Sequence, residues 1–203
     1  MGAPRSYSAD SEISRGESAG DHRPILIASG WAAITATLED GRRQIISLLI
    51  AGDILEPLLD LQPGLAVTAL TTVVTVDSSG LVSTLRERLA GDLRPLAEAW
   101  ARMRQAVQAR LLRQVVRLGR LSAYERTAEL MVDLHRRQRR SGLADEQSMP
   151  LPLTQEMLAD HLGLSVVHVN RILQQLRREG LIVFRAGRIV LPDLPRLTQA
   201  TRR

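Results

Sequence analysis

At 203 residues, 44% hydrophobic and 24% charged, the chain has the composition of a folded protein with room for one sizeable core or two small ones. It contains no cysteine, which excludes disulfides, cysteine-ligated iron–sulfur clusters and thiolate zinc sites. All 27 basic residues are arginine and they are placed unevenly, 8 against 13 acids in residues 1–100 and 19 against 9 in residues 101–203. A C-terminal half this basic points to a polyanion partner, because neutralising phosphates releases counterions. No run reaches the roughly eighteen apolar residues that cross a bilayer, so a cytoplasmic protein with no membrane partner is expected.

The first 23 residues, MGAPRSYSADSEISRGESAGDHR, are rich in Ser, Gly and charge and have no apolar core, so they read as a disordered tail rather than a signal peptide. From Pro24 the pattern turns to β. PILIASGWAAITATLEDGRRQIISLLIAGD holds two β-branched runs around Asp40-Gly41, a hairpin signal because Gly accepts the positive φ of the turn. Gly30 inside the first run predicts a bulge or a close backbone approach. LAVTALTTVVTV, residues 65–76, is a further strand or pair of strands. Residues 24–92 are therefore read as a small antiparallel sandwich or jelly roll.

A helix is predicted over 93–119. Leu96, Trp100, Met103, Val107, Leu111, Val115 and Leu118 recur in steps of four and three and line one stripe, with Arg102, Arg104, Arg110, Arg113 and Arg117 away from it. The stripe could pack on the β domain, but its length favours a helix–helix interface between two subunits. Residues 120–203 then form a second domain. Ser122 and Glu125 make a capping box for a helix with Leu130, Met131 and Leu134 inward and a cationic end suited to the dipole. Residues 142–152 read as a loop.

LTQEMLADHLG follows, with Thr154 as N-cap and Gly163 as a tight stop, and Ser165 caps the next helix two residues later. Helix, glycine turn and capped helix is a helix-turn-helix pattern. At 3.6 residues per turn, Val169, Ile172, Leu173 and Leu176 share one side of the second helix. Val167, Asn170, Arg171, Gln174 and Arg178 lie opposite, flanked by Val166 and His168. Asn and Gln can pair with adenine edges, Arg with guanine, and an exposed valine can pack on a thymine methyl. An ordinary amphipathic helix would show a similar polar face to water. Here GLIVFRAGRIVLPD adds two short β runs that read as a wing, with Arg185 and Arg188 placed for backbone phosphates. No Gly-rich phosphate loop, nucleophile elbow or paired acid cluster occurs, and His22, His135, His161 and His168 share no ligand spacing. Neither catalysis nor a metal is expected.

LTQEMLADHLGLSVVHVNRILQQLRREGLI resembles the helix-turn-helix of the Crp/Fnr family of bacterial transcription regulators. SGWAAITATLEDGRRQIISLLIAGD resembles the centre of that family's cyclic-nucleotide-binding-type β-roll, and the 93–118 helix and GRLSAYERTAELMVDL resemble its dimerisation helix and the helix after it. The resemblance implies an α+β protein with an N-terminal β-roll, a long dimerisation helix and a C-terminal winged helix-turn-helix. It implies a homodimer on a pseudo-palindromic double-stranded DNA operator, with RNA polymerase as a further partner of an activator. By position, Thr154, Gln155, Ser165 and His168 would touch the DNA backbone and Arg171 would contact a base. Val166 and Val167 stand where many members have Arg and Glu, so a different target sequence is expected. The family's cyclic-AMP cassette needs a Gly-Glu pair and then an Arg-Ser/Thr-Ala turn. Here Gly52-Asp53 is followed by ILEPLLDLQPGLAVTALTT, with Glu56 as a lone loop acid, so neither cyclic AMP nor a cysteine-ligated cluster is expected as effector. Only a short polar tail precedes Pro24, which leaves the roll incomplete or closed by a partner chain. The rival reading is an architectural protein that binds nucleic acid without regard to sequence.

Overall fold

The Asp40-Gly41 turn closes a hairpin between two strands, β4 (Trp31–Thr37) and β5 (Arg43–Ile50), with Gly41 at φ 83° and Leu38 N–H donating to Arg42 O at 2.8 Å. This is the computed structural model of the chain; it describes residues 2–15, 23–55, 64–87 and 94–202. The chain divides into two units, residues 1–114 and 115–203, with the boundary inside one long helix. No helix among the described residues is long and apolar enough to cross a membrane.

Around the hairpin, the first unit builds two four-stranded antiparallel sheets. The remaining strands are β1 (Pro4–Tyr7), β2 (Glu12–Arg15), β3 (Ile25–Ser29), β6 (Ile54–Leu55), β7 (Leu65–Ala69) and β8 (Val73–Asp77). The sheet orders are β1-β8-β3-β6 and β2-β7-β4-β5. Inward side chains from both sheets, Ile27, Ala32, Leu49, Val67, Ala69 and Val73, form the core, and each is at most 3% exposed. Gly30 sits at φ 85°, and a Cβ there would run into Thr72 O, the close backbone approach that its place in the strand predicted.

Two expectations are corrected. The first 23 residues are not a featureless tail: Pro4–Tyr7 pairs with Val73–Val76, and Glu12–Arg15 pairs with β7. Both strands lie in the stretch that the sequence reading took for a polar tail, and they extend the roll from within the same chain. As outer strands they need little apolar content: β1 is mostly exposed, and among the described side chains of the two strands Tyr7 and Ile13 pack on the core. Pattern alone therefore does not separate them from a polar tail. Likewise the 142–152 loop contains β9 (Ser148–Pro150), which has one apolar residue, the fully buried Met149, and so no periodicity to read.

After β8 come a short helix, α1 (Ser79–Glu87), and the 27-residue α2 (Arg94–Arg120). In the second unit, α3 (Ala123–Arg140) has the expected capping box: Ser122 N–H donates to Glu125 Oε2 at 2.7 Å, and Glu125 N–H donates to Ser122 Oγ at 3.3 Å. The helix-turn-helix is α4 (Gln155–Leu162) and α5 (Val166–Arg178). β10 (Val183–Arg185) and β11 (Arg188–Val190) follow, and α6 (Leu194–Gln199) comes last before a short 3₁₀ turn. The wing sheet has the order β10-β11-β9. Leu130, Met131 and Leu134 of α3 meet Leu158 and Leu162 of α4 and the buried stripe of α5 in one core.

The stripe on α2 divides. Met103, Val107 and Leu111 line a cavity against the roll, within the same chain. Leu118 packs near Gly163, where a Cβ would come within 3.3 Å of its Cδ2, and Trp100 is half-buried. Of the seven residues, only Leu96 and Val115 are exposed. A second apolar set, Leu112, Val115 and Val116, is open at 62%, 69% and 55% exposure. Adjacent apolar residues such as Leu111-Leu112 and Val115-Val116 point about 100° apart on a helix. A run of steps of three and four thus has two candidate faces, and the sequence does not say which one the fold buries.

Candidate nucleic-acid interface

Local chemistry fixes both helices of the motif. Thr154 Oγ1 accepts from Met157 N–H at 3.1 Å and Ser165 Oγ accepts from His168 N–H at 3.2 Å, so each hydroxyl satisfies an otherwise orphaned donor in the first turn. Gly163 ends α4 at φ 63°, ψ 42°, the left-handed conformation that a Cβ disfavours. Two clamps hold the pair on α3. Arg126 Nη1 donates to Leu162 O at 3.1 Å, while its Nε donates to Leu121 O at 2.8 Å. Tyr124 donates to one carboxylate oxygen of Glu179, and Gln175 Nε2 donates to the other at 3.0 Å. Arg126 and Glu179 escaped the sequence reading because their partners are 36 and 55 residues away.

With the scaffold anchored, α5 presents two opposite faces. Val169, Ile172, Leu173 and Leu176 are 0–6% exposed, and each buried large aliphatic side chain contributes about 1.5–3 kcal/mol. Val166, Val167, His168, Asn170, Arg171, Gln174 and Arg178 are all exposed. Among the described residues, the side chains of Asn170, Arg171, Gln174 and Arg178 have no intramolecular hydrogen bond or ion pair. Val167, at 71%, is the most exposed large apolar residue of this unit. Gln155, on the first turn of α4, is exposed as well. The thirteen residues of α5 span about 20 Å, a length a major groove admits.

The wing treats its two arginines differently. Ala186 and Gly187, at φ 45° and 75°, turn the chain between them. Arg185 is exposed and has no partner among the described residues. Arg188 is instead tied down: its Nη2 reaches Asp145 Oδ2 at 3.1 Å and Ser148 Oγ at 2.8 Å. Ser148 Oγ–H also donates to Asp145 Oδ2 at 2.7 Å, so the three side chains close a network between β9 and β11. The Ser148 side chain first, then the Ser148 and Gln147 amides and the Arg188 charge, hold the Asp145 carboxyl below the usual carboxylate range. Arg188 is thus engaged in the wing's own network, whereas Arg185 is not, although the Arg188 side chain stays 39% exposed.

In the first unit, the cavity between α2 and the roll measures about 640 Å³ and is walled mainly by Ile34, Leu49, Leu55, Met103, Val107 and Leu111. Its polar edge carries Arg110, whose Nη1 donates to Asp53 Oδ1 at 2.8 Å; the other Asp53 oxygen accepts from Ile50 N–H at 2.9 Å. Asp53 therefore anchors a helix and a turn. Glu56 lies outside the described residues. His135 is buried and bonded to Asp145 O, and His161 is buried in α4.

Residues 125–200 match the model of the Crp-like helix-turn-helix domain. The transcriptional activator protein FnrL of Cereibacter sphaeroides is 30% identical over 188 residues, covering 85% of this chain and 70% of the relative. The nitrogen fixation regulation protein FixK of Rhizobium meliloti is 29% identical over 166 residues, covering 81% and 71%. Among solved structures, FixK2 from Bradyrhizobium japonicum superposes with a TM-score of 0.78 at 30% identity, over 98% of this chain and 97% of that one. A CooA mutant from Carboxydothermus hydrogenoformans, at 20% identity and a TM-score of 0.71, shares the fold over 98% of this chain and 87% of its own.

Proposed function

Because the chain belongs to the Crp/Fnr family of transcription regulators, we propose that it reads a pseudo-palindromic operator as a homodimer, one α5 in each of two successive major grooves. Sequence-specific DNA binding in transcription regulation is the function of this family, and of this chain. Asn170, Arg171 and Gln174 are the base readers, with Val166 and Val167 against thymine methyls. Gln155, His168, Arg178 and Arg185 meet phosphates, and Thr154 and Ser165 add their backbone amides and hydroxyls at the helix starts. The second subunit docks on the Leu112, Val115 and Val116 face of α2. RNA polymerase is a second partner, in keeping with relatives named as activators, and the site of action is the cytoplasm.

One observation carries this reading: α5 exposes Val167, Asn170, Arg171, Gln174 and Arg178 opposite a fully packed stripe, and its polar readers are left unspent by the fold. Cyclic AMP is not expected as the effector: Gly52-Asp53 stands where the family's cassette has Gly-Glu, and Arg110 at the cavity's edge is paired with Asp53. Selection of bound duplexes from a random pool, followed by affinity measurement, tests the whole. The selected sequence is expected to carry two half-sites about one helical turn apart and to bind at least about a thousandfold tighter than a scrambled duplex, with cyclic AMP changing neither value. Equal affinity for both duplexes would establish the architectural reading instead.

A further inference from the structure

The DNA face uses only a few of the arginines that make the C-terminal half basic, and a second group stands elsewhere. α3 ends on Arg136, Arg137, Arg139 and Arg140. Arg137 is engaged within the fold. Arg136, Arg139 and Arg140 are exposed and have no hydrogen bond or ion pair among the described residues. They rim a groove of about 290 Å³ whose floor is built from Val132 and His135 of α3 and Leu194 and Thr198 of α6, so its apolar groups are Val132 and Leu194.

A helix C-terminus favours cations, yet Arg136 faces Arg139 and Arg140 at three and four residues' spacing, where like charges repel. The acids close to the groove in the fold do not offset them. Asp145 is taken by Ser148 and Arg188, Asp193 caps α6 by accepting from Arg196 N–H at 2.9 Å, and Asp133 has a partner of its own. Among the described residues the three rim guanidiniums thus have no acidic partner, and they stand over a floor whose apolar groups are Val132 and Leu194.

We propose that this groove binds an acidic protein segment, with carboxylates on the guanidiniums and one large apolar side chain between them on Val132 and Leu194. Guanidinium forks bind carboxylates bidentately, and acidic motifs are read by such clusters. A nucleic-acid backbone carries the anions but no apolar side chain to set on Val132 and Leu194. The groove also lies at the far end of α3 from the motif: Arg126, which holds the helix-turn-helix turn, is ten to fourteen residues earlier, about 15–21 Å along the axis.

The test uses the full chain and a fluorescein-labelled peptide with a central Glu-Glu-Leu-Glu-Glu core in a Gly/Ser frame, followed by anisotropy. Saturable binding is expected, weakened about tenfold or more in R136A/R139A, and abolished when the glutamates become glutamines. Replacing the central leucine by alanine is expected to cost at least about threefold. The double variant keeps its operator affinity, which separates this groove from the DNA face. Absence of saturable binding, equal affinity of the leucine and alanine peptides, or unchanged affinity in the variant overturns the proposal. Displacement of the peptide by a random duplex, or a parallel loss of operator binding, also overturns it and assigns the groove to DNA.

Discussion

Exchanging Arg171 for alanine is expected to weaken operator binding by about 1–3 kcal/mol while costing much less on a scrambled duplex. The side chain is exposed, unpaired among the described residues, and one residue ahead of the buried Ile172, so the fold loses nothing when it is shortened. On the proposed reading, what is lost is a bidentate contact to a base edge, which only the matched duplex rewards. Competition titrations of wild type and variant on both duplexes measure the difference. Equal losses would make Arg171 a phosphate contact and move the specificity to Asn170 and Gln174.

The double substitution L112E/V116E is expected to give monomers in sedimentation experiments and to lower operator affinity about a hundredfold or more, because half-site binding is then no longer intramolecular. Both positions are more than half exposed in the single chain, so the charges harm no core. Met103→Glu is the informative contrast. Its side chain lines the cavity of the first unit, so a loss of thermal stability with the dimer intact is expected. A dimer that survives L112E/V116E and is broken by Met103→Glu would restore the stripe first read from the sequence.

That contrast shows where sequence pattern runs out. The helix-turn-helix was legible nearly residue by residue because its determinants are local. Caps at Thr154 and Ser165, a left-handed glycine at 163 and a 3.6-residue apolar period each act within a few positions. The Asp40-Gly41 hairpin was legible for the same reason. What stayed hidden depends on distant partners. Arg188 looks like a free cation until Asp145, 43 residues away, is brought beside it. Pro4–Tyr7 looks like tail until Val73–Val76 offers its backbone. The stripe on α2 is apolar as read, and three of its residues line the cavity against the roll; amphipathicity gives the direction of burial but not the identity of the burying surface.

The anchoring of Arg188 has a measurable consequence for ion release. On the proposed dimeric reading, each subunit is expected to bring one unengaged wing guanidinium, Arg185, to the sugar–phosphate chain, so a dimer should displace two fewer condensed cations than a tally of wing arginines suggests. Replacing Asp145 by asparagine weakens the hold on Arg188. The dependence of log affinity on log salt should then steepen by up to roughly two units per dimer, at about 0.9 per phosphate. A steeper slope in the variant would make Asp145 a determinant of how sensitive the complex is to the ionic strength around it; an unchanged slope would leave it a purely structural acid.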